Sequence, residues 1–419
     1  MRIYKFGGAS VKDGEGVLNL AKIVAQCKAE RLVVVVSAMD KTTNALEEVY
    51  HAWQSKQVDV ALQKIEDSKI YHHKIIRSCF DGLSCEPVIN DVNEYFKQLQ
   101  STVSGEVSDI AAADYDKLVS YGELISTRIV YQQLKKQGLD VLWTDASKLI
   151  RTDNSYRKAK VNWEKTEAKI QDFIASHSQQ IIVSQGFIGG TPEGHRTTLG
   201  REGSDFSGAI FAYALNAKSL TIWKDVPGLL NADPRVFPNT KKLEEISYRE
   251  ALELSYYGAS VIHPKTVKPL QNKGIPLYIK PFLNPVESGT TVHEKDSYDA
   301  DVPSFIVKNK QRLVSISPRD FSFVVEENLM DLFAAFNKHG ITANLMQNSA
   351  ISFSVCVEEE ADLSGLIAEL QDRYQVLYNN QVSLITIRHY NPEIIRELTE
   401  GKTVLVEQRT RTTVRFVCS

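Results

Sequence analysis

The chain has 419 residues, more than one hydrophobic core usually serves, so two or three domains are expected. Apolar residues make up 43% and charged residues 24%, an ordinary globular balance that excludes a disordered or fibrous chain. A net charge of −3 gives no basis for nucleic acid or an anionic membrane as partner, and no apolar run is long enough to span a bilayer.

The first residues, Met-Arg-Ile-Tyr-Lys-Phe-Gly-Gly, lack a signal peptide's apolar stretch and read as a strand entering a turn. Strand-like runs and helical patterns then alternate up to about residue 300, the rhythm of an α/β domain. Leu32 to Ser37 is β-branched and unbroken, as a strand buried on both faces should be. Val141 to Thr144, Ile181 to Ser184 and Leu220 to Trp223 repeat the theme. Helical patterns cover Gly16 to Lys28, Val161 to Ser176 and Ser207 to Leu215. An all-helical stretch, about 44–135, interrupts the rhythm and is expected to be an inserted subdomain or lid. Five scattered cysteines (Cys27, Cys79, Cys85, Cys356, Cys418), with no Cys-x-x-Cys pair, suggest free thiols and a cytoplasmic protein.

Pro285, Gly289 and Pro303 punctuate polar text between Pro281 and Ser304 and mark a boundary. Beyond it, strands at Leu313 to Ile316, Ile341 to Met346 and Ile351 to Val357, with helices at Glu327 to His339 and Asp362 to Arg373, lead to a short strand at Val376 to Leu377. That β-α-β-β-α-β order is the ferredoxin-like unit. A second start follows: a strand at Val382 to Ile387, a helix at Pro392 to Leu398, and strands at Thr403 to Val406 and Thr412 to Val417. This copy lacks its last helix and strand, so it is either truncated or completed by its neighbour. The expected division is 1–295, 305–380 and 381–419.

Five stretches carry chemistry. Lys5-Phe6-Gly7-Gly8-Ala9-Ser10 lets the backbone turn sharply and aims helix N–H groups and a lysine at one spot, which favours phosphate; a tight turn with a surface lysine is the plainer reading. Ser37 to Asn44 supplies hydroxyls at a strand's carboxyl end, where open sheets bind ligands, or simply caps a helix. Thr197-Thr198-Leu199-Gly200-Arg201-Glu202-Gly203-Ser204-Asp205 has no core-packing explanation. Arg201 is suited to grip a carboxylate and Asp205 to fix an ammonium; Ser204 and Asp205 also stand where they would cap a helix starting at Ser207. Trp223 to Arg235 leaves a buried strand through a Pro-Gly turn that could shelve a flat ring. In Tyr257 to Thr266, His263 and Pro264 are read as shaping a helix start rather than as a catalytic base.

Taken in this order, the stretches resemble the aspartate kinases of the amino acid kinase superfamily, and the C-terminal modules resemble the paired ACT domains of those enzymes. The resemblance implies an amino acid kinase fold, with a mostly parallel central sheet and helices on both faces. It also implies transfer of the γ-phosphoryl group of ATP to the β-carboxylate of L-aspartate. By that match, Lys5 contacts the phosphates and Asp205 organises Lys5 and the substrate. Ser37, Thr43, Glu123, Arg201 and Ser204 bind aspartate, Glu123 through its ammonium and Arg201 through its α-carboxylate. Gly7, Gly8, Ser10, Lys224, Asp225, Leu230, Arg235, Ser260 and Val261 fall on nucleotide-binding positions. Magnesium is expected on the nucleotide, with no dedicated protein metal site. Three departures stand out: Glu202 where Gly is frequent, Ser260 where a lysine is frequent, and Leu230 where Tyr is frequent. Lys265 or Lys224 would replace the missing lysine.

ACT pairing implies a homodimer or higher homo-oligomer, with an amino-acid effector (threonine or lysine) at positions including Asn344, Asn348 and Ser349. Lysine-sensitive relatives place carboxylates where this chain has Asn344 and Ala350, so weak or absent lysine binding is expected. No fused homoserine dehydrogenase is expected. A kinase for another acidic amino acid and a catalytically inactive amino-acid sensor are the rival readings. Retention of Lys5, Glu123, Arg201 and Asp205 together argues against the sensor.

Overall fold

The computed structural model describes residues 1–27, 30–259, 262–300 and 302–419. They divide into two compact units: Met1–Leu229, Lys242–Leu252 and Val261–Asp296 form the first, and Leu230–Lys241, Glu253–Ser260 and Ser297–Ser419 the second.

The first unit is built on one sheet. Its strands are β1 (Arg2–Phe6), β2 (Leu32–Val36), β3 (Val141–Trp143), β4 (Ile181–Gln185), β7 (Leu220–Lys224), β8 (Glu245–Ser247), β9 (Leu277–Pro281) and β10 (Thr290–His293), while β5 (Ile188–Gly190) and β6 (Arg196–Thr198) form a separate hairpin. The order across the sheet is β3-β4-β2-β1-β7-β9-β10-β8. All pairings are parallel except β9 with β10. β2 (LVVVV) and β4 (IIVSQ) are buried at every position, which is why they read as unbroken rather than alternating runs.

Helices α1 (Gly14–Ala25), α2 (Thr42–Gln54), α3 (Val58–Cys79), α4 (Cys85–Val103), α5 (Ala111–Val119), α6 (Tyr121–Lys136), α7 (Ala146–Leu149), α8 (Trp163–Ser176), α9 (Gly203–Ala214), α10 (Tyr248–Tyr257) and α11 (Pro264–Asn272) complete the unit, the chain passing to the second unit within α10. The all-helical stretch is α2 to α6. Its last member is no appendage: α6 packs on β2, β3 and β4. Gly122 makes this approach possible, since a Cβ there would stand 2.9 Å from the Ala38 methyl.

The second unit holds a six-stranded antiparallel sheet of β11 (Ser304–Pro318), β12 (Leu345–Asn348), β13 (Phe353–Glu358), β14 (Tyr374–Arg388), β15 (Val404–Arg409) and β16 (Thr413–Cys418), ordered β12-β13-β11-β14-β16-β15. Helices α12 (Glu326–Lys338), α13 (Ser364–Leu370) and α14 (Pro392–Thr399) accompany it. The reading of two separate strands at Val376 to Leu377 and Val382 to Ile387 needs correction. They are one 15-residue strand, β14, and the strand at Leu313 to Ile316 extends back to Ser304 as β11, also 15 residues long. The polar run Asn379-Asn380-Gln381 looks like a turn. Instead Gln381 (φ +56°) and Lys310 (φ +53°) sit at an irregularity in the β11–β14 pairing, a bulge that bends the strands without ending them. The module's second strand also shifts, from Ile341 to Met346 onto Leu345–Asn348.

One consequence is that the second module gains a further strand from within the chain. Ser304 to Lys308, the first part of β11, pairs with the second part of β14 and stands where the module's missing fourth strand belongs.

Candidate active site

The ends of β1 and β7 place two lysines side by side. The strands are adjacent and parallel, with Lys5 in register with Ile222, so Lys224 emerges two residues further on the same face. α9 crosses this face at Gly208, where an added Cβ would stand 3.1 Å from a Leu220 methyl and 3.5 Å from the Lys5 Cβ. Its first turn carries Asp205. The Lys5 Nζ lies 2.6 Å from Asp205 Oδ1 and the Lys224 Nζ 3.2 Å from Oδ2. The Asp205 side chain is 4% exposed, and burial alone would raise its pKa. The two ammonium groups outweigh burial and hold the carboxyl below its ordinary value.

This triad forms one wall of a cavity of about 680 Å³. Of the residues read from sequence, Lys5, Gly8, Ser37, Thr43, Glu123, Arg201, Ser204, Asp205 and Lys224 line it. Gly8 is dictated by space, since a Cβ would meet the Ala38 carbonyl at 2.7 Å. Gly7 flanks the Lys5 ammonium, 3.7 Å from where its own Cβ would be. Ser10 is buried and donates to the Trp223 carbonyl at 3.4 Å, tying the turn after β1 to β7. Asp225 follows Lys224 and is exposed. Leu230 and Arg235 belong to the second unit, where the Arg235 guanidinium pairs with Asp233 at 2.7 Å. Ser260 and Val261 lie outside the described residues. His263 caps α11, its Nδ1 accepting from the Lys265 N–H at 3.1 Å, and Pro264 is the helix's first residue.

Glu123 sits at the start of α6 with its side chain buried, and its Oε2 has no hydrogen-bond partner among the described residues. Burial pushes its pKa up to about 8, against the pull of the Ala38 N–H and Lys5.

α9 starts at Gly203, earlier than the expected Ser207, so Asp205 stands inside the first turn rather than ahead of it. Glu202 occupies the residue before the helix with a left-handed φ of +53°. Glycine adopts this backbone without strain, whereas glutamate does so at a cost. The Glu202 Oε2 is buried without a partner among the described residues, and the residue lines the cavity beside Arg201.

Sequence reading missed Glu47, Tyr115 and Arg157 in the lining, and the residue that positions the last of them. Arg157 has φ +65°. Its N–H donates to both carboxylate oxygens of buried Asp116 at 3.0 and 2.9 Å, and the N–H and hydroxyl of Thr198 donate to the same group at 2.7 and 2.8 Å. The Arg157 guanidinium then lies 3.9 Å over the Tyr115 ring, whose hydroxyl donates to Glu47. A carboxylate on the apolar face of α5 was the available sign, since such a group survives burial only when paired.

The description Amino acid kinase family matches residues 1–281. With two thirds of its length so matched, the chain belongs to the amino acid kinase family. It is 29% identical to a bifunctional aspartokinase/homoserine dehydrogenase 1 of Arabidopsis thaliana, over 92% of this chain and 43% of that one. It is 29% identical to the lysine-sensitive aspartokinase 3 of Escherichia coli over 86% of this chain and 79% of that one, and 28% identical to an aspartokinase of Chlamydia pneumoniae over 95% and 88%. The chain thus spans less than half the length of the plant bifunctional relatives. Among solved structures, E. coli aspartokinase III in complex with lysine and aspartate superposes with a TM-score of 0.82 at 24% identity, covering 100% of this chain and 95% of that one. The aspartate kinase of Clostridium acetobutylicum gives 0.76 at 19% identity, covering 100% and 96%. These likenesses establish the fold.

Proposed function

We propose that the chain is an ATP-dependent aspartate kinase, producing 4-phospho-L-aspartate and ADP. The observation that carries this reading is the convergence on one cavity of a paired lysine dyad, an arginine and a buried carboxyl with one unpartnered oxygen. The names of the relatives and the E. coli aspartokinase III complex with aspartate and ADP support the same substrates.

Phosphoryl transfer between two anions demands in-line positioning and charge neutralisation more than covalent help from protein. The substrate's β-carboxylate attacks the γ-phosphorus directly. Lys5 faces the developing negative charge, and Asp205 fixes Lys5 and Lys224 without neutralising both. The N-terminus of α9, at Gly203 and Ser204, favours anions at the same place. Arg201 takes the α-carboxylate in a two-point grip. Glu123 takes the α-ammonium, and Ser37 and Thr43 complete the substrate's surroundings. Among the described residues no group of three or more His, Cys, Asp or Glu is placed to hold a metal. Magnesium fits as an ion delivered on the phosphates, where it would add positive charge and needs few protein ligands.

In the second unit, the family resemblance points to an amino-acid effector and homodimer formation. The Asn344 amide is engaged from both ends: its Oδ1 accepts from Lys308 at 2.9 Å, and its Nδ2 donates to Gln311 at 2.8 Å and Glu358 at 2.9 Å. An effector would have to displace these bonds, which supports weak or absent lysine binding at Asn344.

A hydroxamate assay with aspartate, glutamate and no acceptor tests the activity. Product with aspartate alone supports the reading. Turnover with glutamate instead would move it to another acidic substrate, and no product with either acceptor would leave the amino-acid-sensing alternative.

A further inference from the structure

The face of the central sheet opposite Lys5 and Lys224 carries a second cavity. Side chains alternate along a strand, so Tyr4 and Trp223 turn away from the face that holds the two lysines. The register spreads the pattern sideways: Tyr4 lies beside Thr221, Thr221 beside Tyr278, and Trp223 beside Lys280. A cavity of about 570 Å³ opens here, with Tyr4, Trp223 and Tyr278 in its walls and Arg2, Lys218 and Lys280 around them. Among the described residues no carboxylate lines it.

Two groups in this cavity lack what their burial demands. Trp223 is 3% exposed, and its indole N–H has no acceptor among the described residues. Buried donors are almost always paired. Lys280 is partly buried, 5.6 Å over the Trp223 ring, and donates to the Pro285 carbonyl at 3.2 Å. Burial lowers its pKa and no carboxylate offsets this. Arg2 and Lys218 share a single acid, Glu30, outside the lining, which leaves the rim positive. The missing chemistry is an acceptor with negative charge. The Trp223 ring is already stacked on Phe6, 6.0 Å away, and lies beside Lys280 as a reporter of what that ammonium binds. The half-buried rings of Tyr4 and Tyr278 offer apolar surface for a flat body.

We propose that this cavity is a second ligand site, for an anion carried on a flat unsaturated ring, with Lys280 as its anion donor. The shared chemistry is met by a nucleoside monophosphate or by an aromatic carboxylate, and the volume suits either. The site is independent of the kinase reading, since none of its residues lines the first cavity.

The test uses the full chain labelled with fluorotryptophan, whose four tryptophans give separate fluorine resonances. Trp223→Phe assigns the resonance of interest; if that variant does not fold, Trp53→Phe, Trp143→Phe and Trp163→Phe assign it by elimination. The probes are AMP, benzoate, inorganic phosphate and adenosine. The expected result is that AMP or benzoate shifts the Trp223 resonance, that whichever binds more tightly names the source, and that Lys280→Met weakens this titration at least tenfold. Lys280→Gln replaces it if the Met variant is unfolded. No shift with any probe overturns the proposal. So does an equal response to phosphate or adenosine alone, which would mean an adventitious ion or ring only, or a titration unchanged in the Lys280 variant. None of these readouts needs kinase activity.

Discussion

At the residue scale, the cavity sets a charge balance that can be read by titration. With the cavity empty, Glu123 is protonated below a pKa of about 8 because burial disfavours its charge. An arriving ammonium favours the ionised form and lowers that pKa, so the carboxyl releases a proton on binding. Aspartate affinity should therefore rise as pH climbs from 6 to 8 and level off above it. Calorimetry at pH 7 in buffers of different ionisation enthalpy should register close to one proton released per aspartate. Release of none would show that Glu123 does not meet the ammonium. Lys5→Ala should lower kcat on the order of 10²- to 10³-fold, as loss of a transition-state charge partner does, while Lys224 still pairs with Asp205 and circular dichroism stays unchanged. Arg201→Ala should raise KM for aspartate on the order of 10- to 100-fold and leave KM for ATP nearly constant. Parallel changes in both constants would remove Arg201 from the carboxylate.

At the scale of elements, what could be read depended on periodicity, and what could not depended on local backbone geometry. Buried strands such as Leu32–Val36 and amphipathic helices such as Trp163–Ser176 were legible because their patterns match their surroundings. The beginning of α9 was not, because Glu202 enters it through a left-handed residue that gives no sequence cue in a non-glycine. The same geometry makes a prediction: Glu202→Gly should stabilise the protein by about 1 kcal/mol, by relieving positive φ and removing a carboxylate with a buried, unpaired oxygen. A thermal melt with unchanged or lower Tm would contradict it. The walls contributed by Arg157 and Tyr115 were only faintly signalled, by the carboxylate on the apolar face of α5, because they depend on Asp116 joining that helix to a loop 41 residues away. Lys5, Arg201 and Asp205 were found through motifs at strand and helix ends and Glu123 through the family resemblance, and the structure brings all four to one cavity.

At the scale of the whole molecule, each unit carries its own architecture. The first spends one face of its sheet on the lysine dyad and leaves ring and cation groups on the other. The second was the harder to read, since two modules in tandem were expected and the sheet runs through both. β11 and β14 are common property: each gives one part of its length to either module. Like two joists under adjoining rooms, they leave neither floor free to tilt alone. Leu345–Asn348 on one edge of the sheet and Val404–Arg409 on the other are joined through an unbroken series of paired strands. Hydrogen-exchange mass spectrometry should accordingly find Leu313 to Ile316 and Ser383 to Ile387 opening together as denaturant rises. Separate opening midpoints would mean that the joists break at Lys310 and Gln381.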